Sequence, residues 1–98
     1  MITEVVQVDI KPGQEKDFEQ AVEMAQSIFK RSKGWKSLEI HRSIEKPSRY
    51  RLFIKWETLE SHTVDFREGP NFTEWRVLVG PYFAAPPEVE HMTAIGKF

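Results

Sequence analysis

The sequence predicts an α+β domain in which one antiparallel sheet carries helices on a single face. Two observations lead to this fold class. The period of the apolar residues changes between two, as in strands, and about 3.6, as in helices. The resulting order of elements is strand, helix, strand, strand, broken helix, strand, which is the split βαβ order of ferredoxin-like domains. Because 98 residues have room for one core, we expect a single domain over residues 1–98.

The first strand is predicted over residues 2–10 and the first helix over about residues 14–31. The strand is rich in β-branched residues, and alternation places Val5 on the face opposite the other apolar side chains. A Lys-Pro-Gly break separates it from the helix. The apolar residues of the helix recur at helical spacing: Phe18, Ala21, Val22, Ala25, Ile28 and Phe29. Gly34 then supplies a left-handed stop.

Residues 35–44 and 49–57 are predicted to form a hairpin. Both runs alternate, and the short connection between them contains Pro47, which cannot donate to a strand ladder. In the second run one face is apolar and consists of Tyr50, Leu52, Ile54 and Trp56. Phe53 falls on the opposite face, where a polar residue is expected.

The last part of the chain is predicted to contain a broken helix and a final strand. Thr58 is a candidate helix cap, and the spacing places Leu59, His62, Thr63 and Phe66 on one inward face. Gly69-Pro70 interrupts this helix, and a second one starts near Asn71 and ends at Gly80-Pro81. Alternation resumes over about residues 88–96, which we assign as the fourth strand.

One face of the predicted sheet has no helices to cover it. Val5 and Phe53 are apolar residues on that face. A sheet with apolar residues on both faces needs a second layer, and another copy of the same chain can supply it. The sequence therefore predicts a homodimer built on this face.

Composition and charge exclude several classes of partner. Fourteen Lys and Arg against fifteen Asp and Glu leave a formal charge of −1, which disfavours binding to nucleic acid or to an anionic membrane. The chain has no cysteine, no signal-peptide pattern and no apolar run of membrane-spanning length. These features predict a cytoplasmic protein.

Several blocks of the sequence resemble the antibiotic biosynthesis monooxygenase family. They are the Lys11-Pro12-Gly13 break, the strand Leu38–Ser43, and the runs 56–67, 70–76, 80–83 and 86–91. The resemblance implies a dimeric α+β barrel. Some members of the family oxidise phenols with oxygen and no cofactor, and others cleave haem. The positions that would carry the haem-cleaving residues hold Val6, Phe66 and Arg76, which disfavours haem degradation.

In the phenol-oxidising members, two residues of the third strand line the pocket. One is a tryptophan near the end of the strand, and the other is an asparagine about four residues before it. Trp56 matches the first position, while Leu52 occupies the second. The resemblance thus implies an aromatic pocket without the polar group at position 52. It also implies that no flavin, haem or metal cofactor is required.

His62 is the candidate catalytic base, and Trp56 is the candidate aromatic wall beside it. An inward imidazole with a pKa of about 6.5 suits proton removal near neutral pH. We expect Trp75, Tyr82, Arg76, Phe66 and Leu52 to bind the substrate. The alternative interpretation is that His62 and the tryptophans only pack in the core and that Arg76 faces solvent. No paired histidine spacing points to a metal site.

Two functions remain open from the sequence. The first is a cofactor-independent monooxygenase that acts on a small aromatic or quinol-like compound in a pocket between helices and sheet. The second is a ligand-binding or accessory dimer of the same fold without turnover. The sequence leaves open which of the two is realised.

Overall fold

A computed structural model describes all 98 residues and confirms the α+β architecture. The strands are β1 (Ile2–Asp9), β2 (Trp35–Arg42), β3 (Arg49–Trp56) and β4 (Glu88–Met92). The helices are α1 (Glu15–Met24), α2 (Gln26–Lys30) and α3 (Pro70–Val79), with a π-helical segment at Ser61–Phe66 and a 3₁₀ turn at Gly80–Tyr82. The sheet order is β2-β3-β1-β4, and every pair of neighbours is antiparallel.

Two elements differ from the sequence prediction by more than two residues. The helix expected over residues 14–31 is divided at Ala25, whose backbone N–H is shared between the carbonyls of Ala21 and Val22. Ala25 itself is fully buried, so the chain changes direction while its apolar face stays on the sheet. The last strand stops at Met92, which pairs with Thr3, the second residue of β1.

The core lies between the sheet and the helices. Each strand contributes alternate residues to it, as the period of two requires. The buried apolar residues are Val6, Val8, Ile10, Phe18, Ala21, Val22, Ala25, Ile28, Phe29, Tyr50, Leu52, Ile54, Trp56, Phe66, Trp75 and Val79. No helix reaches the length and hydrophobicity that a bilayer crossing requires.

The segment after β3 begins as predicted but winds more widely. The Thr58 hydroxyl accepts a hydrogen bond from the backbone N–H of Ser61 at 3.1 Å, which confirms the predicted cap. The N–H of Arg67 then donates to the His62 carbonyl five residues back, at 3.0 Å, which is the π-helical pattern. His62 and Phe66 point inward, but Leu59 is 42% exposed, so its predicted place on the inward face is wrong. Leu59 precedes the wide turn and does not share its inner side.

Gly34 fixes the approach of this segment to the sheet. Its φ of +79° lies in the left-handed region, as the predicted stop requires. A Cβ at this position would lie 2.3 Å from the Ser61 hydroxyl oxygen. Only glycine therefore lets the turn before β2 and the π-helical segment come this close.

The second face of the sheet carries Val5 and Phe53 directly opposite each other on β1 and β3. Both side chains are half-buried, and no helix of this chain packs on them. The placement of these two residues is the one the alternation predicted. The homodimer inferred from it stays a prediction.

Candidate functional site

A small cavity of about 60 Å³ lies between the inner face of the sheet and the helical layer. Most of its lining is apolar or aromatic. The lining residues are Glu4, Val6, Val8, Phe18, Phe29, Leu52, Ile54, His62, Phe66, Arg67, Phe72, Trp75, Arg76, Phe83, Pro87 and Val89. The polar groups among them are two buried side chains, Glu4 and His62, and two arginines on the exposed side. Few convergent polar groups in an apolar pocket are typical of a small-molecule site.

Glu4 is a residue of the candidate site that the sequence analysis missed. Strand alternation places it between Ile2 and Val6 on the inner face of β1, where it is only 5% exposed. The indole N–H of Trp56 donates to its Oε1 at 3.0 Å. The signal was present in the sequence, since an acidic residue at an inward position of an apolar strand is unusual.

His62 lies against this carboxyl group and is almost completely buried. Its Nε2 is 3.3 Å from Oε2 of Glu4, and its ring stacks on Trp56 with the centroids 5.6 Å apart. Its other nitrogen, Nδ1, is 2.8 Å from Nε2 of His91. His91 is half-buried on β4 and pairs in register with Glu4, so both side chains lie on the same face of the sheet. Glu4, His62 and His91 thus form one connected group of titratable side chains.

Burial shifts the pKa values of this group in opposite directions. It raises the pKa of Glu4 to about 7, although the Trp56 hydrogen bond and the Arg67 charge act against the increase. The pKa of His62 is lowered to about 4, first by burial and then by electrostatic repulsion from Arg67 and His91. The pKa of His91 is also lowered, first by burial and then by Arg67. Near neutral pH both imidazoles are therefore neutral, and Glu4 exchanges its proton most readily.

The structure brings most of the predicted site residues to the cavity. His62, Leu52, Phe66, Trp75 and Arg76 all line it. The Arg76 guanidinium also lies over the Phe83 ring, 5.5 Å from its centroid, so its place at the rim is supported by packing.

Two predicted residues take other positions. Trp56 is fully buried behind Glu4 and does not line the cavity, so it contacts the carboxyl group rather than the open space. Tyr82 also lies outside the lining, and its backbone carbonyl accepts a hydrogen bond from Lys11 at 2.9 Å. Neither placement could be predicted from helical or strand spacing. The spacing tells which face of an element a side chain is on, but not how deeply it is buried there.

No set of three His, Asp or Glu side chains has the arrangement of a metal site. In the group formed by Glu4, His62 and His91, the carboxylate oxygen and the ring nitrogens point at one another.

A wider groove of about 770 Å³ lies between α1 and β2, the strand at the other edge of the sheet. Its charged lining residues are solvent-exposed: Glu19, Glu23, Lys36 and Arg42. Exposed charges interact weakly, because water and salt screen them. Tyr50 is buried and also lines this groove, but its hydroxyl donates a hydrogen bond to Glu19. We assign the candidate site to the smaller cavity, where a buried carboxyl group and a buried imidazole lie side by side.

Comparison with known proteins agrees with the fold and the resemblance. The profile of the family described as antibiotic biosynthesis monooxygenase matches residues 1–77. The uncharacterized protein YczJ of Bacillus subtilis is 35% identical over 91 residues, which cover 93% of this chain and 96% of YczJ.

Two solved structures show the same architecture. A Bordetella bronchiseptica protein whose crystal structure carries the same family name is 46% identical, with 96% of each chain covered and a TM-score of 0.94. SnoaB of Streptomyces nogalater, a cofactor-independent oxygenase, is 18% identical, with 98% of this chain and 94% of SnoaB covered and a TM-score of 0.82. At that identity the likeness to SnoaB concerns the fold.

Proposed function

Because the chain belongs to the antibiotic biosynthesis monooxygenase family, we propose that it oxidises a small hydroxylated aromatic compound with molecular oxygen and without a cofactor. The observation that carries the proposal is the buried Glu4 and His62 pair beside a largely apolar cavity. Such a site can remove a proton from a bound phenol and keep the resulting anion out of water. An oxygenase of this kind needs little else from the protein.

The reaction balances without an external reductant. A phenol and one O₂ give a quinone and one water, so the aromatic ring supplies the four electrons that reduce the oxygen molecule. Removal of the phenolic proton produces a phenolate, which gives an electron to O₂ far more readily than the neutral phenol does. The ring carbon then forms a bond to oxygen, the O–O bond breaks, and the distal oxygen leaves as water with two protons from the substrate.

Glu4 is the proton acceptor in this proposal, in place of His62. The carboxyl group lines the cavity, and its pKa of about 7 leaves a large carboxylate fraction at neutral pH. It is also a stronger base than an ordinary glutamate, whose pKa is about 4.3. Both nitrogens of His62 already face protein groups, and its pKa of about 4 makes it a weak base. His62 and Trp56 therefore position Glu4 and adjust its basicity.

The remaining lining residues bind the ring. Trp75, Phe66 and Leu52 supply apolar contact, and Arg76 at the rim can attract the phenolate oxygen. A cavity of about 60 Å³ is far below the roughly 300 Å³ of a typical ligand site. We therefore infer that the substrate has one ring rather than several, and that side chains of α3 move outward when it binds.

The bare sheet face supports a homodimer as the functional unit. Val5 and Phe53 form an adjacent pair of apolar side chains on that face. The cavity opens on the opposite face of the sheet, so a partner seated on Val5 and Phe53 leaves it accessible.

Oxygen uptake tests the proposal. Purified protein is mixed with a panel of phenols and hydroquinones of one ring in the presence of a chelator, and oxygen consumption and quinone absorbance are recorded. Glu4→Gln keeps the shape of the side chain but removes the base, so we expect kcat/KM to fall about 10²- to 10⁴-fold. The matched control is Glu45→Gln, which makes the same change at an exposed turn residue and should leave the rate unchanged.

Binding is measured alongside turnover through tryptophan fluorescence, since Trp75, one of the three tryptophans, lines the cavity. Turnover that is lost in Glu4→Gln but kept in Glu45→Gln supports the proposal. Turnover at the wild-type rate in a folded Glu4→Gln protein contradicts the assignment of Glu4. Tight binding of ring compounds with no oxygen uptake favours the non-catalytic ligand-binding dimer instead.

A further inference from the structure

We propose that Glu4, His62 and His91 form a proton relay that connects the buried cavity with solvent at the edge of the sheet. Its use in turnover rests on the proposed function, but the relay itself is a property of these three side chains. It assigns a role to His91, which neither lines the cavity nor was predicted as a site residue.

The geometry places the three groups in a continuous row. Glu4 and His62 are buried, while His91 is half-buried on β4, which is an edge strand. The separations are 3.3 Å from Glu4 Oε2 to His62 Nε2 and 2.8 Å from His62 Nδ1 to His91 Nε2. An imidazole can take a proton at one ring nitrogen and release one from the other, so it transmits protons without rotating.

Two arrangements of hydrogen atoms satisfy these contacts. When Glu4 is ionised, His62 Nε2–H points at the carboxylate, and His91 Nε2–H donates to His62 Nδ1. When Glu4 is protonated, its O–H points at His62 Nε2, His62 Nδ1–H donates to His91 Nε2, and His91 Nδ1–H faces solvent. The nitrogen that carries the hydrogen therefore changes on both rings whenever Glu4 gains or loses its proton.

Conversion of the second arrangement into the first releases a net of one proton to solvent. Water takes the Nδ1 hydrogen of His91, His91 Nε2 takes the Nδ1 hydrogen of His62, and His62 Nε2 takes the hydrogen of Glu4. The carboxylate is then ready to accept a proton in the cavity. The same transfers in reverse order return a proton from solvent to Glu4. Both imidazole rings are neutral before and after the transfers.

The surroundings favour neutral rings in both arrangements. The positive charge of Arg67 lowers the pKa of His62 and of His91, in addition to the effect of their burial. Arg76 faces the same cavity from α3, while α1 and α2 contribute only the apolar side chains of Phe18 and Phe29. No other titratable group lines the cavity near Glu4, so the relay has one end inside the protein.

NMR of protein with ¹⁵N-labelled histidine rings tests the relay without any substrate. The ¹⁵N shifts report which ring nitrogen carries hydrogen. Between pH 5.5 and 8.5 we expect His62 and His91 to change together, from Nδ1–H at low pH to Nε2–H at high pH, with a midpoint near 7.

Two variants complete the experiment. In Glu4→Gln the joint change should disappear, because the group that drives it no longer ionises, whereas Glu45→Gln should retain it. If His62 and His91 each keep one tautomer over the whole range, or change at different midpoints in the wild type, the relay is refuted. These results do not depend on oxygen uptake, so a failed relay and a failed oxygenase assignment are told apart.

If a substrate is found, His91→Gln tests the use of the relay. This variant keeps a polar side chain but cannot pass a proton between two nitrogens. We expect kcat to fall on the order of tenfold with KM unchanged, and added imidazole to restore it. An unchanged kcat, or a loss that imidazole does not restore, shows that Glu4 exchanges its proton by another route.

Discussion

Replacing Glu4 by glutamine should make the protein more stable at neutral and alkaline pH. Glutamine has nearly the same shape, and its side-chain carbonyl can still accept the hydrogen bond from the Trp56 indole N–H. The change removes only the ability to ionise. The comparison therefore isolates the free-energy cost of holding a charged carboxylate in a buried position.

The size of the effect follows from the pKa of Glu4. A rise from 4.5 to about 7 is about 2.5 units, which corresponds to about 3 kcal/mol at 1.36 kcal/mol per unit. Because the folded protein holds this proton more tightly than the unfolded chain does, the unfolding free energy falls as the pH rises from about 4.5 to about 7. Above pH 7 the full penalty is present in the wild type and absent in Glu4→Gln.

Denaturant unfolding at a fixed protein concentration, from pH 5 to 8.5, measures this difference. We expect the two unfolding free energies to be close at pH 5 and to separate by about 3 kcal/mol above pH 7.5. The control Glu45→Gln should run parallel to the wild type throughout. If wild type and Glu4→Gln also run parallel, the carboxyl group is not strongly desolvated, and the reasoning about the site fails.

Three further changes test other parts of the structure. Gly34→Ala should lower the free energy of unfolding by about 2 kcal/mol or more, because φ is positive at this position and the Ser61 side chain lies against it. A denaturant titration with an unchanged unfolding midpoint would contradict the close contact. Trp56→Phe removes the indole N–H that donates a hydrogen bond to Glu4, so the pKa of Glu4 should rise above 7 in a ¹³C NMR titration. A lower pKa in this variant would contradict the reasoning. Phe53→Asp should weaken self-association, measured by sedimentation velocity, by roughly 3 kcal/mol. A wild-type protein that stays monomeric at micromolar concentration would contradict the predicted dimer.

The strands and their faces were predictable because a period of two is a local property. Alternation correctly separated Val5 and Phe53 from the residues of the inner face, and the two runs around Pro47 paired as expected. The helix boundaries were less accurate, because the break at Ala25 has neither glycine nor proline to mark it in the sequence. The exposure of Leu59 was missed for a related reason, since a π-helical turn does not follow the spacing of 3.6.

By itself, the sequence determined the fold class, the family resemblance and the inward orientation of His62. Only the tertiary structure decided which groups meet there. The register of β1 with β4 places His91 opposite Glu4, and the segment after β3 brings His62 against both. A carboxyl group acquires a raised pKa only when neighbours distant in sequence exclude water from it, so its chemistry is a property of the packed structure and not of any local pattern.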